Sequence, residues 1–226
     1  MPLDLNRIRA LCFDIDGTLR DTDDQFVVQV AAWLSPFRGL FPNRNTALYA
    51  RRLIMWLENP GTYLQGLADR LGIDRDLYRL ANSLDQLRRR RRLSPGPVVP
   101  GVPEMLAALH ARYPLAVVSA RGQHTTLTFL EGYDLVRFFT VIVTGQTCQH
   151  TKPYPDPIEY AARQMAVPVE NCLMIGDTTA DIRAGRLAQA QTVGVLCGFG
   201  EREELEKEGA DQIVVTTLEI LDFLLS

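Results

Sequence analysis

Asp14 and Asp16 stand two residues apart at the end of an apolar run, in Leu11-Cys12-Phe13-Asp14-Ile15-Asp16-Gly17-Thr18-Leu19. In an extended chain, residues two apart project the same way, so the two carboxylates are expected to enter one crevice. Carboxylates that close repel. Either a bound cation neutralises them, or one of them takes up a proton near neutral pH. A metal-assisted or acid/base reaction can use such a pair, and Gly17 allows the sharp exit that would leave it exposed to a substrate. An ordinary strand running into an Asp-Gly turn, with both acids in water, is the alternative. Four more polar residues bear on the choice: Ser119 after Leu115 to Val118, Asp177 after Leu173-Met174-Ile175-Gly176, Asp181 four residues further on, and Lys152 in Thr151-Lys152-Pro153-Tyr154-Pro155-Asp156-Pro157. Each has an ordinary role open to it, Ser119 and Asp181 as helix caps and Lys152 as a surface charge.

Those residues can act together only if the elements carrying them bring them to one place. Ile8 to Phe13 is short, apolar and free of Gly and Pro, which predicts a buried strand with its acids at the C-terminal end. From Val102 onward, helical and strand patterns alternate. Helices are predicted over Pro103 to Arg112, Thr125 to Glu131, Asp156 to Ala166, Ala180 to Ala188, Glu201 to Glu208 and Leu218 to Leu224. Strands are predicted over Leu115 to Val118, Val141 to Val143, Cys172 to Ile175, Thr192 to Leu196 and Ile213 to Val215. Alternation of this kind predicts a mostly parallel sheet covered on both faces, an α/β fold. Asp14, Ser119 and Asp177 then all follow the C-terminal ends of strands, which is where open α/β sheets bind ligands.

Between the first strand and this series, the spacing changes. Gln25 to Leu34, Thr46 to Leu57, Tyr63 to Leu71 and Leu77 to Leu93 space their apolar residues by three or four, separated by Pro36, Gly39, Pro42, Asn59-Pro60-Gly61 and Gly72. Residues 21–95 therefore read as an all-helical insertion into one α/β domain made of residues 1–20 and 96–226, returning through Ser94-Pro95-Gly96-Pro97. The five consecutive arginines, Arg88 to Arg92, would spread around a helix and cannot all face one ligand. They suit a solvated helix end, from which one or two could still reach a phosphate.

With 226 residues, 46% of them hydrophobic, the chain can bury a full core. A net charge of −3 argues against nucleic acid as a partner. Apolar stretches are strand-sized, shorter than the roughly 20 residues a membrane helix needs. Met1-Pro2-Leu3-Asp4-Leu5 has no basic region leading into an apolar one, so the cytoplasm is the expected location. Cys12, Cys148, Cys172 and Cys197 lack zinc or redox spacing, and Cys12 and Cys172 read as small buried hydrophobes. Of His110, His124 and His150, only His150 lies near a chemically interesting residue, Lys152.

Asp14-Ile15-Asp16-Gly17-Thr18, Ser119, Lys152 and Gly176-Asp177-Thr178-Thr179-Ala180-Asp181 resemble the four ordered motifs of the haloacid dehalogenase-like hydrolase superfamily, over nearly the whole chain. The resemblance implies a Rossmann-like core with an inserted helical cap acting as a mobile lid. Gly198-Phe199-Gly200-Glu201 and Glu208-Gly209-Ala210-Asp211 are similar to the tail of the phosphoglycolate phosphatase subgroup, although Ala120-Arg121 follows Ser119 where that subgroup usually carries Asn-Lys.

The resemblance further implies a magnesium-dependent phosphatase of a small phosphorylated metabolite, with Asp14 as nucleophile and Asp16 as general acid and then base. Asp14, the backbone carbonyl of Asp16, Asp177 and Asp181 would serve the metal, and Thr18, Ser119 and Lys152 the phosphoryl oxygens. The presence of Asp16 points away from halide displacement, which needs no proton donor. A phosphoglucomutase-like phosphotransferase and a non-catalytic binding protein on the same fold are the alternatives. The chain is expected to be a monomer or homodimer, since Trp33, Phe37, Trp56 and Tyr63 could make the insertion a pairing surface.

Overall fold

A computed structural model describes residues 3–21, 30–36, 46, 50 and 96–226. The chain divides into two compact units, Met1–Thr22 with Pro95–Ser226, and Asp23–Ser94. In the second unit, Val30, Ala31 and Leu34 lie on a helical stretch and pack against the buried Ala50. Trp33, on the same stretch, is 71% exposed. The other helices expected in the insertion, Phe37, Trp56, Tyr63 and the arginines 88–92 lie outside the described residues.

The first unit is a six-stranded, wholly parallel sheet. Its elements are β1 (Ala10–Phe13), α1 (Val102–His110), β2 (Leu115–Val118), α2 (Gln123–Gly132), β3 (Val141–Val143), α3 (Asp156–Gln164), β4 (Cys172–Gly176), α4 (Thr179–Leu187), β5 (Gln191–Val195), α5 (Arg202–Glu208), β6 (Gln212–Val214) and α6 (Ile220–Leu224). This is the expected α/β, Rossmann-like alternation, with boundaries moved by one or two residues at most ends. At β1 the difference has a local cause. Leu5–Arg7 form a 3-10 turn for which Ile8 is the C-cap, so pairing begins at Ala10.

The central strands β1, β2, β4 and β5 are buried along their whole length. The edge strands β3 and β6 are buried only at their last residue. This fits the apolar runs of β1, β2 and β4, whereas β5 opens on Gln191 and Thr192, whose buried side chains donate to the Asp4 carbonyl and to Asp211. Leu11, Phe13, Leu115, Val117, Leu173 and Ile175 point to one side, against Met105, Leu106 and Leu109 of α1, Phe129 of α2 and Ile220 of α6. Ala10, Cys12, Ala116, Val118, Cys172 and Met174 point to the other, against Ile158 and Ala161 of α3 and Ala184 of α4. Cys12 and Cys172 are thus buried core residues and free thiols.

Strand order is β3-β2-β1-β4-β5-β6. The chain winds outward from β1 through β2 to β3, then returns to the other side of β1 and continues through β4. The reversal falls between β1 and β4, where crossovers leave in opposite directions and open a crevice beyond the strand ends. The ladder pairs Phe13 with Ile175, and the Asp14 amide donates to the Ile175 carbonyl at 2.9 Å, so β1 delivers Asp14 into that crevice beside the end of β4.

Candidate active site

Beyond Phe13, the chain leaves the sheet in a tight turn: the Ile15 carbonyl accepts from the amides of Thr18, Leu19 and Arg20 at 3.2, 2.9 and 2.8 Å. Gly17 has φ +77, where a side chain is strained, and a Cβ there would collide with the Asp177 carboxylate. The turn is held from behind by the C-terminal part of the chain. The Thr217 hydroxyl donates to the Thr18 carbonyl at 2.7 Å, and the Cys197 thiol to the Gly17 carbonyl at 3.3 Å.

Asp14, Asp177 and Asp181 converge, each buried, with one carboxylate oxygen from each within 4.8 Å of the others. Lys152 is buried among them: its ammonium donates to Asp14 Oδ1 and to Asp181 Oδ1, both at 2.6 Å. One cation between two acids leaves an excess of buried negative charge. Burial pushes the Asp14 carboxyl up to about 7; the Lys152 charge opposes this, and Asp181 and Asp16 add to it. Asp177 is also raised, by burial first and then by Asp181 and Asp14. Burial alone would lower Lys152, but Asp14 and Asp181 outweigh it, so its pKa rises and the ammonium stays charged.

The three acids are held differently, and the difference assigns them work. Asp181, in the first turn of α4, has both oxygens engaged. Oδ1 accepts from Lys152, and Oδ2 accepts from the Thr178 amide and hydroxyl at 3.0 and 2.6 Å, a capping box that fixes the helix start. The capping role and the site role therefore coexist in one side chain. Asp177 Oδ2 accepts from the Phe199 amide at 2.6 Å, whereas its buried Oδ1 has no hydrogen-bond partner among the described residues. A buried carboxylate oxygen without a donor is costly unless something else meets it. A divalent cation at Asp14 and Asp177 fits that orphaned atom, the excess charge and the all-oxygen donor set.

Asp16 does not join this cluster. Its carboxylate is turned to Arg20 Nη1 at 2.8 Å and Arg121 Nη1 at 3.4 Å. The turn at Ile15 sends the two carboxylates to different cations, while Asp16 stays near enough for its charge to add to the rise at Asp14. Ser119 is buried after β2, its hydroxyl accepting from the Arg121 amide at 3.2 Å in a turn that precedes α2 and does not cap it. Thr18 is fully buried, and its hydroxyl, like Asp177 Oδ1, has no partner among the described residues. His150 pairs with Asp156 at 3.0 Å and packs on Tyr154 rather than joining the acids.

Further contributors carry no clear mark of a site role in the sequence. The Phe199 amide orients Asp177, and Gly198 leaves room for it, since a Cβ there would strike the same carboxylate. The Gly-Phe-Gly spacing was the signal, but its target could not be read from it. Thr217 and Arg20 carry no signal, and Arg121 shows only as the departure after Ser119.

Residues 11–195 match the family model described as haloacid dehalogenase-like hydrolase. The phosphoglycolate phosphatase of Escherichia coli is 27% identical over an alignment 251 positions long, gaps included, that covers 96% of this chain and 92% of that protein. A hydrolase structure from Pseudomonas syringae superposes with a TM-score of 0.69 at 27% identity, covering 96% of this chain and 97% of that one. A haloacid dehalogenase-like family hydrolase from Streptococcus pneumoniae gives 0.68 at 21%, covering 96% and 99%, a likeness of fold. Among the described residues, no helix is long and apolar enough to cross a membrane. The family match spans both the turn after Asp14 and the acids after β4, and the chain belongs to the haloacid dehalogenase-like hydrolase family.

Proposed function

We propose that this chain is a phosphatase that hydrolyses a small phosphorylated metabolite through an aspartyl-phosphate on Asp14. The observation that carries this is the Asp14–Lys152–Asp181 constellation beside the orphaned Asp177 oxygen, at the switch point of the sheet. Phosphate monoesters hydrolyse slowly because an anionic nucleophile must approach an anionic phosphorus, so the site has to cancel charge and hold the attack in line. Lys152 grips Asp14 Oδ1, which aims the carboxylate and leaves its other oxygen to attack. The P–O bond to the leaving alcohol breaks as the Asp14–phosphorus bond forms. Asp16 gives its proton to the departing oxygen, then takes one from the water that hydrolyses the acyl phosphate. The Ser119 and Thr18 hydroxyls, with Lys152, bind the phosphoryl oxygens.

Asp14, Asp177 and the Asp16 backbone carbonyl would hold a divalent cation, with magnesium the expected ion, and Asp181 would support it through Lys152. Such a cation supplies electrostatic stabilisation of charge on the phosphoryl group. The similarity to phosphoglycolate phosphatases supports phosphoglycolate as the first ester to try. In this proposal, residues 21–95 form the cap that selects among esters, because the core groups recognise only phosphate and metal. Phosphate release from a panel of phosphorylated metabolites, with magnesium or with chelator, tests the assignment. Magnesium-dependent turnover of one or a few esters, lost in Asp14→Asn, is the expected result. Turnover that survives that substitution would refute the covalent route.

A further inference from the structure

Two guanidinium groups meet on one oxygen of Asp16. Arg20 Nη1 lies 2.8 Å and Arg121 Nη1 3.4 Å from Asp16 Oδ1. The side chains of all three residues are largely withdrawn from water, with relative exposures of 14% for Arg20, 18% for Arg121 and 14% for Asp16, so these are not the screened surface pairs that contribute little. Arg20 belongs to the same turn as Asp16. Arg121 comes from the loop after β2, a hundred residues away in sequence.

Each guanidinium has a built seat. The Arg20 side chain lies over Gly96, where a Cβ would collide with its guanidinium, and the Gly96 carbonyl is fixed by the Tyr133 hydroxyl at 2.9 Å. Arg121 is held through its backbone: its amide donates to Ser119 Oγ at 3.2 Å, and its carbonyl accepts from the Gly145 amide at 2.8 Å. Its Nη1 is buried and has no hydrogen-bond partner among the described residues, leaving the Asp16 charge as what it faces.

We propose that Arg121, with Arg20, is a positioning residue that holds Asp16 by Oδ1 so that Oδ2 faces the leaving oxygen of the substrate. The proposal rests on the acid/base role given to Asp16 above. Proton transfer requires the two heavy atoms within hydrogen-bond reach, and small misplacements are costly. Arg20 alone would tie Asp16 only to its own turn. Arg121 ties it to Ser119, so one three-residue stretch after β2 sets both a phosphoryl contact and the place of the proton donor. This gives a function to the Ala120-Arg121 departure in the second motif.

The test is the dependence of kcat/KM, which reports the step that expels the leaving group, on that group, measured with magnesium on the full chain across aryl phosphates from p-nitrophenyl to phenyl to p-methoxyphenyl phosphate. Good leaving groups depart without a proton; poor ones need it. Arg121→Met should lower kcat/KM on phenyl phosphate by roughly tenfold more than on p-nitrophenyl phosphate, part of the ~10²–10⁴ that general acid–base catalysis contributes. Asp16→Asn should show the same skew more strongly, and adding Arg121→Met to it should not steepen the skew, since the two act through one group. Arg121→Lys should recover part of the rate on phenyl phosphate. Should Arg121→Met fail to fold, Arg121→Gln, which keeps a donor without the charge, carries the same comparison.

Equal loss of kcat/KM on all esters would make Arg121 a structural or substrate-binding residue and overturn the proposal. Additive skews in the double variant would overturn it as well. No skew in Asp16→Asn itself would overturn the acid/base role of Asp16, and this proposal with it.

Discussion

Asp14→Asn should abolish turnover and, in metal-free protein, stabilise the fold. Asp14 is pushed up to about 7 from an ordinary 3.8, chiefly by burial. Because the folded value lies above the ordinary one, the stability this group contributes is complete below about pH 4 and is lost as pH rises through about 7. At about 1.36 kcal/mol per pH unit of difference, the loss above pH 7 is about 4 kcal/mol. Asparagine has the shape of the neutral acid, and its amide oxygen can still accept from Lys152, so the variant escapes the loss. Metal-free Asp14→Asn should therefore exceed the parent by about 4 kcal/mol at pH 8, or about 8–16 °C in melting temperature for a chain of this size. The gap should shrink below about 2 kcal/mol at pH 5. Magnesium should narrow it at pH 8, since the parent binds the ion with a full set of carboxylates and the variant does not. The assay is thermal unfolding followed by circular dichroism, in chelator and in magnesium, between pH 5 and 8. If Asp14→Asn melts no higher than the parent in chelator at pH 8, or if the gap does not depend on pH, the buried-charge reasoning fails.

Gly198→Ala places a Cβ against the Asp177 carboxylate; phosphatase assays should show a loss of at least ~10²-fold, comparable to removing a preorganised charge-stabilising contact, while circular dichroism stays native. Thr217→Val removes the hydroxyl that holds the Thr18 carbonyl and should cost about 1 kcal/mol in denaturant unfolding together with a fall in kcat, both restored by Thr217→Ser; a change in stability alone would separate Thr217 from the site. Replacing residues 21–95 with a short Gly/Ser linker should leave aryl phosphate hydrolysis measurable and erase preference among metabolites. Unchanged preference in a newly monomeric protein, read by light scattering, would make the insertion a pairing surface.

What was legible in the sequence follows from which signals are local. Alternating apolar runs predict a parallel sheet because a strand buried on both faces is mostly apolar, as β1, β2 and β4 are. Asp14, Ser119 and Asp177 could be placed at strand ends because each immediately follows such a run. The capping box of Asp181 is likewise written within four residues. The site's finer arrangement depends on strand order and on contacts between distant segments. Putting β4 beside β1 brings Asp177 to Asp14, and the Phe199 amide then takes one oxygen of Asp177 and leaves the other without a donor. Lys152 reaches Asp14 across 138 residues and Thr217 reaches Thr18 across 199. Asp16 shows the limit most clearly. Its spacing from Asp14 says nothing of its partners; the tertiary fold brings Arg121 to it and turns its carboxylate to the arginines, because the energy of a largely buried charge is decided by what surrounds it in space.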